Sequence, residues 1–600
     1  MRPALPVSRS YRLFLILFLL GAAAYWFCLF GPKSLDKIQL GGIIVAGVAV
    51  LIPGVSQAVD GFALACDRKL NRHPARTSLA VGALICAYLL AFTFFSHDRL
   101  FLKLNDEHAY MIQARMLARG RLWMPAYPPA VSPFFDALAM IVDRVYAPMY
   151  FPGTALAMVP FVWLGLSYWW MTVLTAATAA GFLYAVLTDL FDPFRAVLGV
   201  IILASLHTYR GSAILLLAES PFLAAETVLF WAWLRFHGRP MTRWAIVIGA
   251  AAGYAAITRP LDALCFVLPV GAALIWQLRR LPGVLIRYGV VMVLAAAPFL
   301  LILVVQNIGV TGHWWELAEG YFNRQNFPAT PMGFHHIAPG QMPVNLNAVK
   351  QQWLRDWILP SFARHTPANA IRTWYRGRLV QLLDNALPNP ILILLLPLAL
   401  FSMRELRRVA VFASLVLFCI GYAIYLFFLE HYVVSILPAM ICLILIGGET
   451  LQSAWPGASA RSFVTLALLA ISVSVLWPVV PVPPLPDPFA PDQRPASRIL
   501  AHLPITPAVV LFRFDPDQRI DSFNDDPVYN DTVAFPDDAA VVRARDLGPE
   551  KNRDLIHYYA RHQPDRVFYI YDPDARYAGQ NPLSPPLGTA RDLDVTGTIP

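Results

Sequence analysis

Three ionisable residues stand side by side in the stretch LNDEHAYMIQARMLARGRLWMP, residues 104–125. Asp106 and Glu107 bring two carboxylates and His108 brings an imidazole, groups that can take a proton from a hydroxyl. A structural role competes with this chemistry, because Asn105 or Asp106 could cap a helix whose first turn favours acidic residues. The residues AYMIQARMLARG predict the body of that helix, with basic residues late and Gly120 as its end.

The amino-acid composition indicates the class of protein to which this triplet belongs. Hydrophobic residues make up 57% and charged residues 14% of the 600 residues, and the mean hydropathy is +0.53. A soluble core cannot bury so many apolar side chains, so we expect a polytopic α-helical membrane protein. The six cysteines lie in or beside apolar stretches without metal-ligand spacing, which argues against a disulfide scaffold and against redox chemistry.

Apolar stretches long enough to cross about 30 Å of hydrocarbon predict the transmembrane helices. Four basic runs (67–76, 235–243, 279–287 and 404–408) fall on one side when the N-terminus is cytoplasmic. The stretch FPGTALAMVPFVWLG (151–165) is then expected to lie at the outer interface without crossing, because a crossing would place these runs on opposite sides. Thirteen spans are predicted, the first a retained helix: 11–30, 39–57, 78–96, 169–187, 194–207, 214–234, 243–258, 261–278, 284–306, 389–403, 409–429, 432–449 and 462–481.

Three polar regions face outward in this topology: 97–168, 307–388 and the tail 482–600. The tail holds 12 Lys and Arg against 18 Asp and Glu, a net charge of −6, which leaves +15 on residues 1–481. Within the tail, PAVVLFRF and RVFYIYD predict buried strands and PEKNRDLIHYYARH an amphipathic helix. We therefore expect a hairpin of two spans with a basic cytoplasmic loop at 1–77, a transmembrane catalytic core at 78–481, and a soluble extracytoplasmic α/β domain at 482–600 behind a proline-rich linker.

Ionisable residues recur at the other outer corners of the predicted topology. Charges so close to hydrocarbon are costly and often mark a site. Each of them alone could also be an interfacial side chain whose charged end reaches water. Their shared depth nevertheless predicts the rim of one cavity, formed by His207, Arg210, Glu219, Arg259, Asp262, Glu430 and His431 together with the triplet.

Several of these elements resemble one known family. NDEHAYMIQARMLARG is similar to the acidic element D-E-x-x-Y/F-x-x-x-A of GT-C glycosyltransferases of the protein O-mannosyltransferase and lipid A aminoarabinose transferase type, grouped as glycosyltransferase family 39. The proline-containing helix in 149–165, AESP at 218–221 and TRWAIVIGAAAGYAAITRPLDAL at 242–264 resemble further elements of that family. The resemblance covers roughly residues 78–450 and implies a GT-C fold with about thirteen transmembrane helices.

The resemblance also implies an activity. A sugar would pass, with inversion, from a polyprenyl-phosphate carrier to an acceptor hydroxyl on the outer face of a bacterial inner membrane. Asp106 is expected to take the proton of the acceptor, with Glu107 positioning the acceptor or tuning Asp106. Arg259, with Arg210 and His431, is expected to hold the phosphate leaving group by charge-assisted hydrogen bonds.

Further residues are expected to line the substrate cavity. The second outer loop is dense in aromatic side chains, which can stack on sugars or anchor helices at the interface. The expected lining residues are His108, Tyr110, Glu219, Glu430, Trp314 and Arg324, with Glu316 and Arg378 as further acceptor contacts. The expected partners are a polyprenyl-phosphate-linked sugar, a lipid, glycan or protein acceptor, and membrane lipids, but no nucleic acid.

We expect no cofactor, because a monophosphate leaving group needs less neutralisation than a diphosphate. A divalent cation at His335 and His336 or at the triplet is the alternative. Two other functions compete with the transferase: a polyprenyl-diphosphate-linked glycan ligase or polymerase, and a membrane transporter. A transporter should carry charged residues near the membrane midplane and show similar halves, whereas the charges singled out above lie at the outer rim.

Overall fold

The computed structural model describes residues 37–95, 101–327, 331–334, 343, 346–455, 457–476, 494–513, 528–572, 575 and 579–597. The predicted span at 11–30 lies outside these residues, as do His335 and His336. The chain divides into two compact units that interleave along the sequence, and each is described by itself.

The first unit comprises Met1–His97, Thr172–Leu300 and Pro367–Val482 and is helical in its described part. Its α-helices are Lys37–Ala49, Pro53–Leu70, Pro74–Phe95, Trp169–Leu190, Pro193–Ser205, His207–Ser212, Glu219–Gly238, Thr242–Ala256, Pro260–Leu278, Pro282–Thr311, Pro367–Thr373, Leu379–Ala386, Leu396–Ala399, Leu406–Ile424, Leu437–Ala454 and Ala458–Val473. Shorter turns of 3₁₀ or π type cover Trp374–Arg378, Pro390–Leu394, Leu400–Ser402 and Glu430–Ile436.

Six helices of the described residues are long and apolar enough to cross a membrane, and the number rises to eight if each of two bent pairs is one span. The polytopic helical class is therefore confirmed, whereas the expected thirteen spans are not. The physical reason is that several apolar stretches break: Leu379–Ala386 and Pro390–Ser402 meet at 111°, and Pro193–Ser205 has only 13 residues. The stretch expected to lie at the interface forms the short helix Pro152–Trp163, with 12 residues.

Small residues let two helices of the first unit pack backbone to backbone. A side chain at Gly249 or Gly253 on helix Thr242–Ala256 would collide with the backbone of Met292 or Ala296 on helix Pro282–Thr311. In a lipid bilayer, apolar helices gain little from the hydrophobic effect when they associate, so close van der Waals packing of this kind stabilises their contact.

The second unit comprises Asp98–Met171, Leu301–Thr366 and Pro483–Pro600. Its α-helices are Asn105–Ala118, Pro152–Trp163, Ala318–Asn326, Ala348–Trp353, Leu359–Arg364, Arg494–Ala501, Pro549–His562 and Ala590–Thr596. Its strands are Met124–Pro125, Met140–Ile141, Val145–Pro148, Ala508–Phe512, Val541–Arg545, Val567–Tyr571 and Gly588–Thr589, with single turns at Ser132–Phe135, Leu354–Ile358 and Pro536–Asp538.

The tail of the chain forms the predicted α/β fold. Strand Ala508–Phe512 lies between Val541–Arg545 and Val567–Tyr571 and is parallel to both, and Gly588–Thr589 adds an antiparallel edge. The two strands predicted from PAVVLFRF and RVFYIYD are buried along their whole length, as apolar runs in parallel sheets usually are. The predicted helix is observed as Pro549–His562.

Within the second unit, one hydrophobic core joins the first polar region, 97–168, to the tail, with members from Ala109 to Tyr146 and from Ala496 to Leu593. Tyr127 stacks on Phe535 with 4.7 Å between ring centroids, and its hydroxyl donates to Asp537 at 2.8 Å. The tail is therefore packed into a body with residues of the first loop, and the linear domain boundaries at 77 and 481 stay a prediction.

Candidate functional site

A tyrosine holds the carboxylate of Asp106. Asp106 lies in the first turn of helix Asn105–Ala118, hereafter the acidic helix, and is half-buried. The hydroxyl of Tyr150 donates to its Oδ1 at 2.5 Å. Burial first, and then the charge of Asp106, raises the pKa of Tyr150 well above its usual value, so the phenol keeps its proton and acts as a donor.

Two amide side chains fix the backbone of Tyr150. Gln113 of the acidic helix and Gln306 near the end of helix Pro282–Thr311 both donate to the Tyr150 carbonyl, at 2.8 and 3.1 Å. The sequence analysis missed all three residues. Tyr150 could have been found, because it belongs to the motif MYFPG that opens the proline-containing helix, whereas no local pattern marks the two glutamines.

Glu107 has a different environment from Asp106. Its side chain is fully buried, and its Oε2 accepts from the backbone N–H groups of Lys103 and Leu104 at 2.8 and 3.0 Å. Leu104 takes the N-cap position, so the expectation that Asn105 or Asp106 caps the helix is wrong. An acidic side chain three residues into a helix commonly reaches back to such N–H groups, and here it holds the turn that presents Asp106.

His108 faces a carboxylate from the tail. Its Nδ1 lies 2.6 Å from Oδ2 of Asp531, and its ring stacks on Tyr529 with 4.9 Å between centroids. Burial alone would raise the pKa of Asp531, but the hydrogen bond and charge of His108, helped by Arg543 and Arg115, lower it below its usual value. His108 and Asp531 are 423 residues apart, so sequence reasoning had no signal for this pair.

The other predicted residues of the second unit differ in exposure. Tyr110 is buried, with its ring 4.8 Å from that of Tyr150. Trp314 is 62% exposed, a position that suits either an interfacial anchor or a stacking surface. Arg324 donates to Glu316 at 3.0 and 3.2 Å, so this pair of expected acceptor contacts is at present an exposed ion pair.

Arg259 lies at the centre of a buried cluster in the first unit. Its guanidinium donates to Glu219, Asp262 and the hydroxyl of Tyr422. Tyr422 and Ser435 in turn donate to Asp262 at 2.8 and 3.0 Å. The buried arginine cluster, as we name Glu219, Arg259, Asp262, Tyr422 and Ser435, therefore ties together four elements of this unit.

The charge balance of this cluster bears on the phosphate-binding prediction. Glu219 and Asp262 are 2% and 1% exposed and face one guanidinium, so the three groups carry one net negative charge when all are ionised. Among the described residues, the contacts of Arg259 use three of its five N–H groups. His431 lies nearby, with Nε2 3.9 Å from Oε1 of Glu219, and could add a second positive charge.

Three further predicted residues lie apart from these contacts. Arg210 donates to the carbonyls of Ser205 and Leu476, both at 3.4 Å, and packs on the ring of Phe92. Glu430 is exposed at the start of the turn Glu430–Ile436. Arg378, expected to contact the acceptor, instead donates to three backbone carbonyls at the end of helix Leu406–Ile424, those of Tyr422, Tyr425 and Leu426.

Glu226 is a buried acid that the sequence analysis overlooked. It lies within helix Glu219–Gly238, two turns from Glu219 on the same face, and is 0% exposed. Neither of its carboxylate oxygens has a hydrogen-bond partner among the described residues. Because an ionised carboxylate is costly to bury unpaired, a proton or a cation must accompany it.

In the part of the chain that the structure describes, no group of three His, Cys, Asp or Glu side chains is arranged to hold a metal ion. The alternative pair His335 and His336 lies outside that part. Independence from metals therefore stays a prediction.

Comparison with solved structures finds similar chains. ArnT from Cupriavidus metallidurans bound to undecaprenyl phosphate is 15% identical, with a TM-score of 0.45 over 83% of this chain and 94% of that one. The apo state of the same protein is 15% identical, with a TM-score of 0.39 over 83% of this chain and 95% of that one. The apo Archaeoglobus fulgidus oligosaccharyltransferase is 12% identical, with a TM-score of 0.42 over 84% of this chain and 70% of that one. No protein-family model and no curated protein matches the chain. These TM-scores are too low for function to follow from shape, so the chemistry must be argued from the residues themselves.

Proposed function

We propose that this protein is a GT-C-type membrane glycosyltransferase that moves a sugar from a polyprenyl-phosphate donor to an acceptor hydroxyl on the outer face of the inner membrane. The observation that carries the proposal is the half-buried carboxylate of Asp106, oriented by Tyr150 while the neighbouring Glu107 is buried and bonded to backbone. A carboxylate that is fixed but still accessible is what a general base needs.

In this proposal Asp106 takes the acceptor's proton as the hydroxyl oxygen attacks the anomeric carbon. The bond between that carbon and the phosphate oxygen breaks, and the electron pair leaves with the polyprenyl phosphate. Tyr150 keeps its proton and holds Oδ1, which orients the carboxylate for the acceptor. Because attack comes from the face opposite the leaving group, the anomeric configuration inverts.

Arg259 is proposed to hold the developing phosphate charge. Its two remaining N–H groups are suited to the task. Its two carboxylate partners already offset its charge, however, so phosphate binding requires either a proton on Glu219 or Asp262, or the additional charge of His431. Arg259 and His431 are therefore assigned together, and the contribution of Arg210, which donates to the carbonyls of Ser205 and Leu476, stays a prediction.

Mass spectrometry of envelope lipids and glycans from a deletion strain tests the function and identifies donor and acceptor. We expect one sugar modification to disappear and to return when the wild-type gene is restored. An envelope in which every sugar modification is unchanged would contradict the proposal.

A membrane transporter is the second candidate, and Glu226 is the observation that favours it. An unpaired buried acid within a helix is typical of proton-coupled transport. The substitution Glu226→Gln separates the two functions. The transferase should keep sugar transfer within a few-fold of wild type, whereas a proton-coupled transporter should lose substrate uptake into vesicles.

A further inference from the structure

Three residues of the acidic helix face Tyr150. Asp106, Tyr110 and Gln113 lie three or four residues apart, so their side chains share one face of this helix. The hydroxyl of Tyr150 donates to Asp106, and its backbone carbonyl accepts from Gln113 at 2.8 Å. The ring of Tyr150 lies 4.8 Å from that of Tyr110, measured between centroids. This face therefore presents the carboxylate of Asp106 to the tyrosine that orients it.

The neighbouring face of the acidic helix packs against the tail. Its apolar residues Ala109, Ile112 and Met116 are fully buried and belong to the same hydrophobic core as the strands of the tail. Polar residues of this face bond to residues 528–538, hereafter the docking segment, and they are Asn105, His108, Arg115 and Arg119. Because these contacts recur every three or four residues, the tail follows one side of the acidic helix from its first turn to its last.

Tyr529 of the docking segment contacts the residues on both sides of Asp106. Its hydroxyl shares its proton between Oδ1 of Asn105, at 2.9 Å, and the carbonyl of Leu138. Tyr529 is 2% exposed, and its ring stacks on that of His108 with 4.9 Å between centroids. One tail residue thus contacts the acidic helix both before and after Asp106.

Asp531 holds the start of the acidic helix through His108. Burial alone would raise the pKa of Asp531, but the hydrogen bond and charge of His108 lower it, so this carboxylate is ionised at neutral pH and can only accept hydrogen bonds. Nδ1 of His108, 2.6 Å from Oδ2 of Asp531, must therefore carry the proton of this bond. Arg115 donates to the backbone carbonyl of Asp531 at 2.8 Å, which fixes Asp531 against the helix at a second point.

A small rotation of the acidic helix would displace the carboxylate of Asp106 enough to affect proton transfer. Side chains end about 5–6 Å from a helix axis, so a rotation of about 10° moves their ends by about 1 Å. A displacement of about 1 Å at a reacting group can lower a rate about 10²-fold. Contacts that prevent this rotation therefore control the geometry of the proposed base.

We propose that Tyr529 and Asp531 are positioning residues, which fix the rotation of the acidic helix and thereby hold the carboxylate of Asp106 in the orientation that receives the acceptor's proton. This inference rests on the proposed function, in which Asp106 is the base. The tail then contributes to the site through hydrogen bonds to partners 423 and 424 residues earlier in the chain.

Hydrogen–deuterium exchange of the full-length protein in nanodiscs measures how firmly the tail holds the acidic helix, and it needs no donor or acceptor. In Tyr529→Phe and Asp531→Ala, the amide protons of residues 104–110 should exchange about two- to ten-fold faster than in wild type, as expected for the loss of one hydrogen bond. The matched control is Tyr558→Phe, which removes a hydroxyl that donates to Asp537 at 2.6 Å within the tail. This control should leave the exchange of residues 104–110 unchanged.

The transfer reaction, measured with the donor and acceptor identified from the deletion strain, tests the effect on Asp106. Rates are expressed per folded molecule, counted by size-exclusion chromatography. Tyr529→Phe and Asp531→Ala should lower kcat about ten-fold and leave KM within about two-fold of wild type, because a displaced base slows proton transfer without weakening substrate binding. Tyr558→Phe should keep the wild-type kcat. Asp531→Asn retains an oxygen that accepts from Nδ1 of His108, so it should restore most of the kcat lost in Asp531→Ala.

Equal values of kcat in Tyr529→Phe and Tyr558→Phe, in a protein whose wild type transfers sugar, would overturn the positioning role and leave the transferase standing. A wild type that transfers no sugar would remove the proposed function and the positioning role with it. Faster exchange of residues 104–110 in that case would establish the hold of the tail on the helix alone. Unchanged exchange in both Tyr529→Phe and Asp531→Ala would overturn that hold, whatever the transfer activity.

Discussion

Removal of Arg259 should expose how strongly the buried arginine cluster depends on one positive charge. The substitution Arg259→Gln deletes the hydrogen bonds to Glu219 and Asp262 and leaves two carboxylates that are 2% and 1% exposed. Breaking a buried ion pair by removing one partner costs about 3–5 kcal/mol, because the other charge stays buried and unpaired. We therefore expect a clear fall in the thermal unfolding midpoint of the detergent-purified protein.

A triple variant separates the structural role of Arg259 from its proposed role in catalysis. Adding Glu219→Gln and Asp262→Asn to Arg259→Gln removes the stranded charges, so most of the lost stability should return, since neutral groups can replace a buried ion pair at little cost. The triple variant should not transfer sugar, because it still lacks the Arg259 guanidinium that is proposed to hold the phosphate.

Two measurements check this reasoning, the unfolding midpoint and the transfer rate. A triple variant no more stable than Arg259→Gln would refute the electrostatic account of the cluster. A stable triple variant that transfers sugar at the wild-type rate would refute the role of Arg259 in holding phosphate.

Three further predictions concern the second unit. The pKa of Asp531 is lowered in the folded protein, so the stability that Asp531 contributes is present above its unfolded pKa of about 3.9 and is lost as the pH falls through its folded pKa. In Asp531→Asn, the thermal unfolding midpoint should therefore fall less steeply below about pH 4. The same steep fall in Asp531→Asn as in wild type would count against the pair of Asp531 and His108. Tyr150→Phe should lower sugar transfer about two- to thirteen-fold, which is the rate equivalent of one hydrogen bond of about 0.5–1.5 kcal/mol. A wild-type rate would show that the phenol does not orient Asp106. Glu107→Gln keeps an oxygen that can accept from the N–H groups of Lys103 and Leu104, so the rate of sugar transfer should stay within about ten-fold of wild type. A loss of about 10²- to 10⁴-fold, as expected when a general base is removed, would assign the role of base to Glu107.

Hydrophobic patterns in the sequence predicted the helices and strands that are determined mainly by neighbouring residues. The apolar runs PAVVLFRF and RVFYIYD became buried parallel strands, and the amphipathic stretch between them became helix Pro549–His562. The short proline-containing stretch became a helix of 12 residues, as its length demanded. In each case neighbouring residues supply most of the determining interactions.

Contacts between distant segments could not be predicted from those patterns. Arg259 and Glu219 were expected at one depth from topology, and they do bond, but the sequence did not reveal that two carboxylates would share one guanidinium. The pair of His108 and Asp531 depends on how the tail packs against the first loop, which hydrophobic periodicity does not specify. The thirteen expected spans are not confirmed among the described residues, because periodicity and length do not show where an apolar helix bends.

The most direct test of the account is the transfer rate of Asp106→Asn with a purified polyprenyl-phosphate-linked sugar and the acceptor found in the envelope. Asparagine can still accept the hydrogen bond of Tyr150 but cannot take a proton at neutral pH. The matched control is Asp143→Asn, because Asp143 accepts from the hydroxyl of Tyr321 at 2.6 Å in the same unit. We predict that Asp106→Asn folds normally and loses about 10²- to 10⁴-fold in rate, while Asp143→Asn stays near wild type; equal rates for both variants would contradict the central claim.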